Sequence, residues 1–235
     1  MDGNGRWAKE RNLKRTAGHA EGAKTLENII NDADDIGIKY LTVYAFSTEN
    51  WARPSDEVDM LMKLMDKYLR KCIKMSIKHN FRARVIGDRS KLNDNLNSII
   101  DDLEETSANF DGLNLQIAIN YGSRDEILRG IRQIAFDVKN GDILPENIDE
   151  NLFSSVLDTS DIPEPDLLIR TSGEKRLSNF MLWQIAYSEL YFTDVYWPDF
   201  DRAELLKAVA AYSNRNRTYG KISNDKDSYE KPEEA

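Results

Sequence analysis

Short β-rich runs alternate with long segments of helical periodicity along this chain, and that alternation limits the fold more than any other feature. Residues 40–46, 81–86, 113–119, 166–170 and 191–196 are rich in branched and aromatic side chains and read as strands. Between them the apolar residues recur at helical spacing. Leu26, Ile29, Ile30 and Ala33 form one such stripe, and Gly37 follows it as a C-terminal cap. Ser123-Arg124-Asp125-Glu126 reads as a capping box opening a helix that carries Ile127, Ile131 and Ile134. Asp201 and Glu204 open another in the same way, with Leu205, Leu206 and Val209 on its apolar side. Strand–helix alternation implies βαβ units, hence an α/β fold with a mostly parallel sheet flanked by helices on both faces. No internal repeat or linker divides the chain, so residues 1–222 are expected to form one domain. Residues 223–235 hold five acidic and two basic residues and read as a disordered acidic tail.

Charge narrows the function classes. Lys and Arg number 32 against 41 Asp and Glu, a formal net charge of −9. A general nucleic-acid binder draws its affinity from neutralising phosphates, so nucleic acid is excluded as a partner. A small anion held by a local arginine cluster is not excluded. One cysteine, Cys72, forms no internal disulfide, and two histidines beside it do not make a Cys/His zinc set. The first residues lack the apolar core of a secretory signal, and no run reaches the roughly 20 apolar residues of a membrane span. A cytoplasmic globular protein is the expectation.

The segment 55–80 carries more apolar surface than one buried face needs. Val58, Leu61, Met62, Met65, Leu69, Cys72 and Ile73 make the core stripe, and Met60, Leu64 and Met75 widen it. Two readings stand: a helix buried on more than one side, or a wall of an apolar cavity in which flexible Met side chains suit a long ligand. Periodicity does not choose between them.

In open parallel sheets, ligands bind beyond the carboxyl ends of the strands. Three loops there are dense in hydrogen-bonding groups: Ser47-Thr48-Glu49-Asn50-Trp51-Ala52-Arg53-Pro54, Asn120-Tyr121-Gly122-Ser123-Arg124, and residues 171–179 with Glu174, Lys175, Arg176 and Ser178. Turn chemistry accounts for Ser, Asn and Gly there, but not for repeated Arg in an acidic chain. A fourth element, Asp2-Gly3-Asn4-Gly5-Arg6-Trp7, lets backbone N–H groups approach a phosphate, with Arg6 and Arg15 as counter-charges. It lacks the Gly-Lys-Ser/Thr of a Walker A loop. A haloacid-dehalogenase-like phosphatase would also open on an Asp nucleophile, but needs a second Asp where this chain has Asn4.

The stretches DGNGRWA (2–8), Arg15 with Gly18-His19, YAFSTENWARP (44–54), NYGSRDEI (120–127) and RTSGEKRLSNFMLWQIAYSELYF (170–192) resemble, in order and spacing, the cis-prenyltransferase family, and within it the bacterial undecaprenyl diphosphate synthases. The resemblance implies a Mg2+-dependent transferase, usually a homodimer, that condenses isopentenyl diphosphate onto an allylic diphosphate such as farnesyl diphosphate. Each addition makes a cis double bond, giving a long-chain polyprenyl diphosphate such as the undecaprenyl precursor of the cell-wall lipid carrier. Carried onto this chain, Asp2 is the catalytic carboxylate and a metal ligand, with Glu189 as the second. Gly3, Asn4, Gly5, Arg6, Trp7, Arg15 and His19 hold the allylic diphosphate. Arg170, Arg176, Leu177 and Ser178 hold isopentenyl diphosphate. Ser47, Thr48, Glu49, Trp51 and Arg53 lie between the two, and Asn50 is placed in proton removal, where an amide suits positioning better than basicity. Ala45 and Leu113 are expected to limit chain length, and the hydrophobic product implies peripheral membrane contact. His19 also has a plain reading as a helix-surface residue, and His79 as a helix-end residue.

A non-catalytic partner subunit of the same fold is the competing reading. Such subunits lose the motif carboxylate or the Arg/Ser cluster, and this chain keeps both. In relatives an apolar strand precedes the Asp-Gly-Asn-Gly motif. Here the motif starts at residue 2, so the expectation is a sheet short of one strand and a true start further upstream, with an inactive truncated chain as an alternative outcome.

Overall fold

Residues 1–215 are described in a computed structural model; the predicted tail 223–235 and the end of the predicted domain lie outside them. The strands are β1 (Tyr40–Ser47), β2 (Arg82–Ile86), β3 (Asn114–Tyr121), β4 (Leu167–Arg170) and β5 (Glu189–Phe192). The helices are α1 (Asn4–Glu10), α2 (Arg15–Asp35), α3 (Ser55–His79), α4 (Asp94–Ser107), α5 (Ser123–Asn140), α6 (Glu150–Ser155) and α7 (Arg202–Ser213). All strand pairs are parallel. β3, buried along nearly its whole length although Gln116 and Asn120 interrupt its apolar residues, is the central strand of β1-β3-β2. Val43 and Val85 both align with Ile117 across it.

The expected single sheet is divided. β4 and β5 form a second sheet, and their ladder starts at Glu189, two residues ahead of the fifth predicted strand, because Leu167 aligns with Glu189. β1 and β4 each keep one edge without a strand partner among the described residues, and both strands line one cavity. The turn at residue 2 bridges to the second sheet. Asp2 N–H donates to Thr171 Oγ1 at 3.0 Å, and the Asp2 carbonyl accepts from Trp197 N–H at 2.9 Å.

One face of the three-stranded sheet packs Val43, Leu115, Ile117 and Ile119 against Leu26, Ile29 and Ile30 of α2, Leu69 and Cys72 of α3, and Ile99 and Leu103 of α4. Burying such side chains contributes about 1.5–3 kcal/mol each. The other face is covered partly by irregular chain: Ala118 and Tyr121 pack against Met181 and Ile185, and Tyr44 stacks on Phe180 at 4.5 Å.

The helix ends follow the sequence except at α5. Gly37 takes φ 84 just past α2, and Asp201 Oδ1 caps Glu204 N–H at 3.0 Å. At α5 the cap residue is Gly122, and no capping box forms. Ser123 and Glu126 are buried and bond to distant segments instead. Ile131, expected on the core side, is exposed together with Leu128 and Phe136.

Candidate active site

A cavity of about 1760 Å3 runs between the two sheets. Its polar end lies at the carboxyl ends of β1 and β4, where the residue 2–6 turn meets them. Gly3, at φ 94, is the residue that permits this turn; a Cβ there would sit 2.0 Å from Ser172 Oγ. Gly18 lets α2 approach the Asn4 carbonyl, which a Cβ would meet at 1.9 Å.

Charges converge at that end. Arg170 reaches Asp2 Oδ2 at 3.1 Å and Ser178 Oγ at 2.8 Å, and also bonds the Arg176 carbonyl. Arg6 lies 3.7 Å from Asp2 and 3.0 Å from Glu174, whose carboxylate also pairs with Arg176. Glu57 bridges Arg53 at 2.9 Å and Arg15 at 3.3 Å. Burial acts to raise the Asp2 carboxyl, but Arg170 and the Gly3 N–H outweigh it and hold the group below the ordinary aspartate range. His19 is pushed down to about 4, first by burial and then by Arg15 and Arg53, so its imidazole is neutral near pH 7. Its Nε2 is buried without a partner, as is Asn4 Oδ1. Both residues line the cavity; the His19 nitrogen can donate to a ligand's oxygen, whereas Asn4 Oδ1 is an acceptor and suits a donor or a cation.

Away from this end the wall is apolar. Leu26 and Ile29 of α2, Leu61, Leu64, Met65 and Tyr68 of α3, Val43 of β1 and Leu168 of β4 line it. Of the two readings for segment 55–80, the cavity wall holds, although Met60 and Met75 do not contribute to it.

The structure gathers Asp2, Gly3, Asn4, Gly5, Arg6, Arg15, His19, Ser47, Glu49, Asn50, Arg53, Arg170, Arg176, Leu177, Ser178 and Ala45 around this cavity. It does not bring in five others. Trp7 faces Asp199, donating from Nε1 at 2.7 Å; Trp51 donates to Asn120 Oδ1 at 2.7 Å and packs on Phe46. Thr48 lies beside Gly122. Leu113 sits in the helix-covered core rather than at a cavity end, because it is buried just ahead of β3. Glu189 stands at the amino end of β5, paired with Arg215, whereas Asp2 lies past the carboxyl end of β4; within one chain the two do not form a metal pair. Among the described residues no group of three or more Asp, Glu, His or Cys forms a metal cage. Glu57 read from sequence as either a site residue or a structural one, and Glu174 was not among the candidates. Their signal was present, since each lies a few residues from a motif arginine.

Residues 1–220 match the family described as "Putative undecaprenyl diphosphate synthase". The chain is 53% identical over 224 residues to an isoprenyl transferase of Fusobacterium nucleatum, covering 95% of this chain and 94% of that protein. It is 49% identical to an isoprenyl transferase of Aquifex aeolicus, covering 94% of each. Its structure resembles lavandulyl diphosphate synthase from Lavandula x intermedia in complex with dimethylallyl diphosphate, with TM-score 0.91, 39% identity and coverage of 94% and 95%. It also resembles a "probable undecaprenyl diphosphate synthase" of Campylobacter jejuni, with TM-score 0.77, 36% identity and coverage of 86% and 93%. The chain belongs to the undecaprenyl diphosphate synthase family of cis-prenyltransferases, enzymes that condense isopentenyl diphosphate onto an allylic diphosphate.

Proposed function

We propose that the allylic diphosphate binds with its head among Asp2, Arg6, Arg15, His19 and Arg53 and its hydrocarbon along the apolar wall, while Arg170, Arg176 and Ser178 receive isopentenyl diphosphate. The observation that carries this reading is the continuity of one cavity from an arginine-rich end to an apolar length. That length follows β1, whose eight residues span about 26 Å.

Breaking the allylic C–O bond moves negative charge onto the departing diphosphate. A guanidinium ~4 Å from a phosphate oxygen stabilises that charge by roughly 4 kcal/mol at an effective dielectric near 20. Glu57 and Glu174 hold the arginines in place before substrate arrives, and diphosphate oxygens compete for the same guanidinium edges. Neutral His19 donates from, or accepts at, its free Nε2. Asn50 Oδ1 already accepts the Ser47 N–H at 3.1 Å, which suits positioning of the loop, with a diphosphate oxygen as the proton acceptor. Asp2, ionised and open to the cavity, would hold Mg2+ together with substrate oxygens, as this ion prefers. When bound, the ion neutralises charge on the leaving diphosphate.

The product is a long-chain polyprenyl diphosphate of the undecaprenyl type, a cell-wall lipid precursor. The exposed Leu128, Ile131 and Phe136 on α5 support pairing with a second copy. The hydrophobic product would meet lipid on release; no helix among the described residues is long and apolar enough to cross a membrane. Incubation with farnesyl diphosphate, isopentenyl diphosphate and Mg2+, followed by chromatography of the products, tests the reading. Polyprenyl products support it; release of inorganic phosphate alone, or no product, rejects it.

A further inference from the structure

Helix α3 has two distinct faces, and the chemistry above uses only one. Leu61, Leu64, Met65 and Tyr68 line the cavity. About a third of a turn away, Lys63, Lys67, Lys74 and Lys78 fall within about 60° of arc and extend over about 22 Å of helix. All four are exposed, and none has an ion pair or hydrogen bond among the described residues. Residues 67–79 hold five Lys and Arg and no Asp or Glu, in a chain whose net charge is −9. Two acids beside this face are already engaged. Asp66 accepts from Arg70 Nε at 2.9 Å and from Asn95 Nδ2 at 2.5 Å, and Glu27 of α2 pairs with Lys71 at 2.6 Å. The four lysines therefore carry charge that the fold itself does not use.

An apolar side chain accompanies them. Ile77, at 60% exposure, is the most exposed large aliphatic residue among the described residues. Lysines flanking an apolar side chain suit a helix lying at a lipid–water boundary, with ammonium groups among the headgroups and the apolar group below them. The placement along the sheet agrees. α3 leaves the carboxyl end of β1 and delivers the chain to the amino end of β2, where Arg82 aligns with Asn114, as Tyr40 does. Its basic half thus lies away from the diphosphate end, where the apolar length of the cavity runs past Ile38 and Tyr40. α4, packed against α3, exposes Asp94, Asp101, Asp102 and Glu105. These repel an anionic surface, so α3 leads the contact.

We propose that the outer face of α3, with Lys63, Lys67, Lys74, Lys78 and Ile77, docks on an anionic lipid bilayer and so brings the hydrocarbon end of the cavity to the membrane that takes up the product. The choice of lipid over another polyanion rests on the polyprenyl product proposed above. The field of an anionic leaflet fades within about 8 Å at physiological salt, so only groups held at the surface contribute. Each lysine placed there strengthens binding about five-fold.

Co-sedimentation of the full chain with vesicles tests this without substrates. Wild type is expected to bind vesicles of equal phosphatidylglycerol and phosphatidylcholine, to ignore phosphatidylcholine alone, and to leave the anionic vesicles in about 0.5 M salt. Lys67→Gln combined with Lys74→Gln is expected to weaken binding about 25-fold. Neither residue meets the cavity, so kcat in a lipid-free assay stays within about two-fold of wild type. If that variant has lost its fold, as judged by melting temperature, Lys63→Gln with Lys78→Gln is measured in its place, and the same factor is expected. Equal binding by wild type and a folded variant, equal binding to neutral vesicles, no binding by wild type, or displacement by duplex DNA at the same phosphate concentration overturns the proposal. Absence of polyprenyl product rejects the functional reading alone. Docking is then decided by the vesicles, lysine-dependent binding supporting it and lysine-independent binding rejecting it.

Discussion

Asp2 and Arg170 hold each other across the mouth of the cavity, and removing one member tests what the other does alone. Asp2→Ala is expected to lower kcat by at least about a thousand-fold, as loss of a group acting on transition-state charge does. Arg170, relieved of its partner, still reaches Ser178, so the KM for isopentenyl diphosphate stays near wild type. Steady-state kinetics on both substrates check the split. His19 makes a second prediction through pH. Its folded pKa of about 4 lies below the ordinary histidine value of 6.5, so between the two the unfolded chain binds the proton and the folded one does not. Stability from this group is complete above about pH 6.5, is lost as pH falls towards 4, and changes no further below that. His19→Gln removes this contribution, so its melting temperature falls less than that of wild type between pH 7.5 and 5. At this scale the sequence showed which side chains carry charge to the site, since motif arginines and Asp2 need no structure to be noticed. It did not show Glu126 and Ser123 correctly. A serine followed three residues later by a glutamate is locally identical whether it caps a helix or turns inward to meet Leu182 and Gln184. Only long-range contacts distinguish the two.

The five strands and the helices α2, α3, α5 and α7 were legible, and α1, α4 and α6 were not named, because periods of two and 3.6 residues report which side of an element is buried and are weakest in short elements. They do not report what it is buried against, and Leu113 shows the difference. The family resemblance implied a place where it limits chain length, but it packs in the core with residues of α2, α3 and α4. Leu113→Ala is therefore expected to cost roughly 2–5 kcal/mol in stability and to leave product lengths unchanged. Leu64, on the face of α3 that lines the cavity, is the converse case. Leu64→Trp puts bulk into the apolar length and is expected to shorten the products with little change in the denaturant midpoint. Chromatography of product chains and urea titration of both variants separate the two roles. Longer products from Leu113→Ala would place it back at the cavity wall.

For the molecule as a whole, parallel α/β architecture followed from strand–helix alternation, but the division into β1-β3-β2 and β4-β5 did not, since pairing partners leave no local trace in sequence. That division means the two sheets communicate through side chains and the residue 2 turn rather than through a shared ladder. From Tyr40 to Tyr44, ahead of the register shifts in β1, every second amide points towards β3, while the intervening ones face the cavity edge. Protection against deuterium should therefore alternate residue by residue along Tyr40–Tyr44 of β1 and along β4, and stay continuous along β3, which is bonded on both sides. Amide-resolved exchange measured by NMR would display that stripe. A hydrocarbon chain drawn into the cavity would leave the stripe in place but slow its fast lanes, because oil keeps water from the exposed amides without offering them a bond.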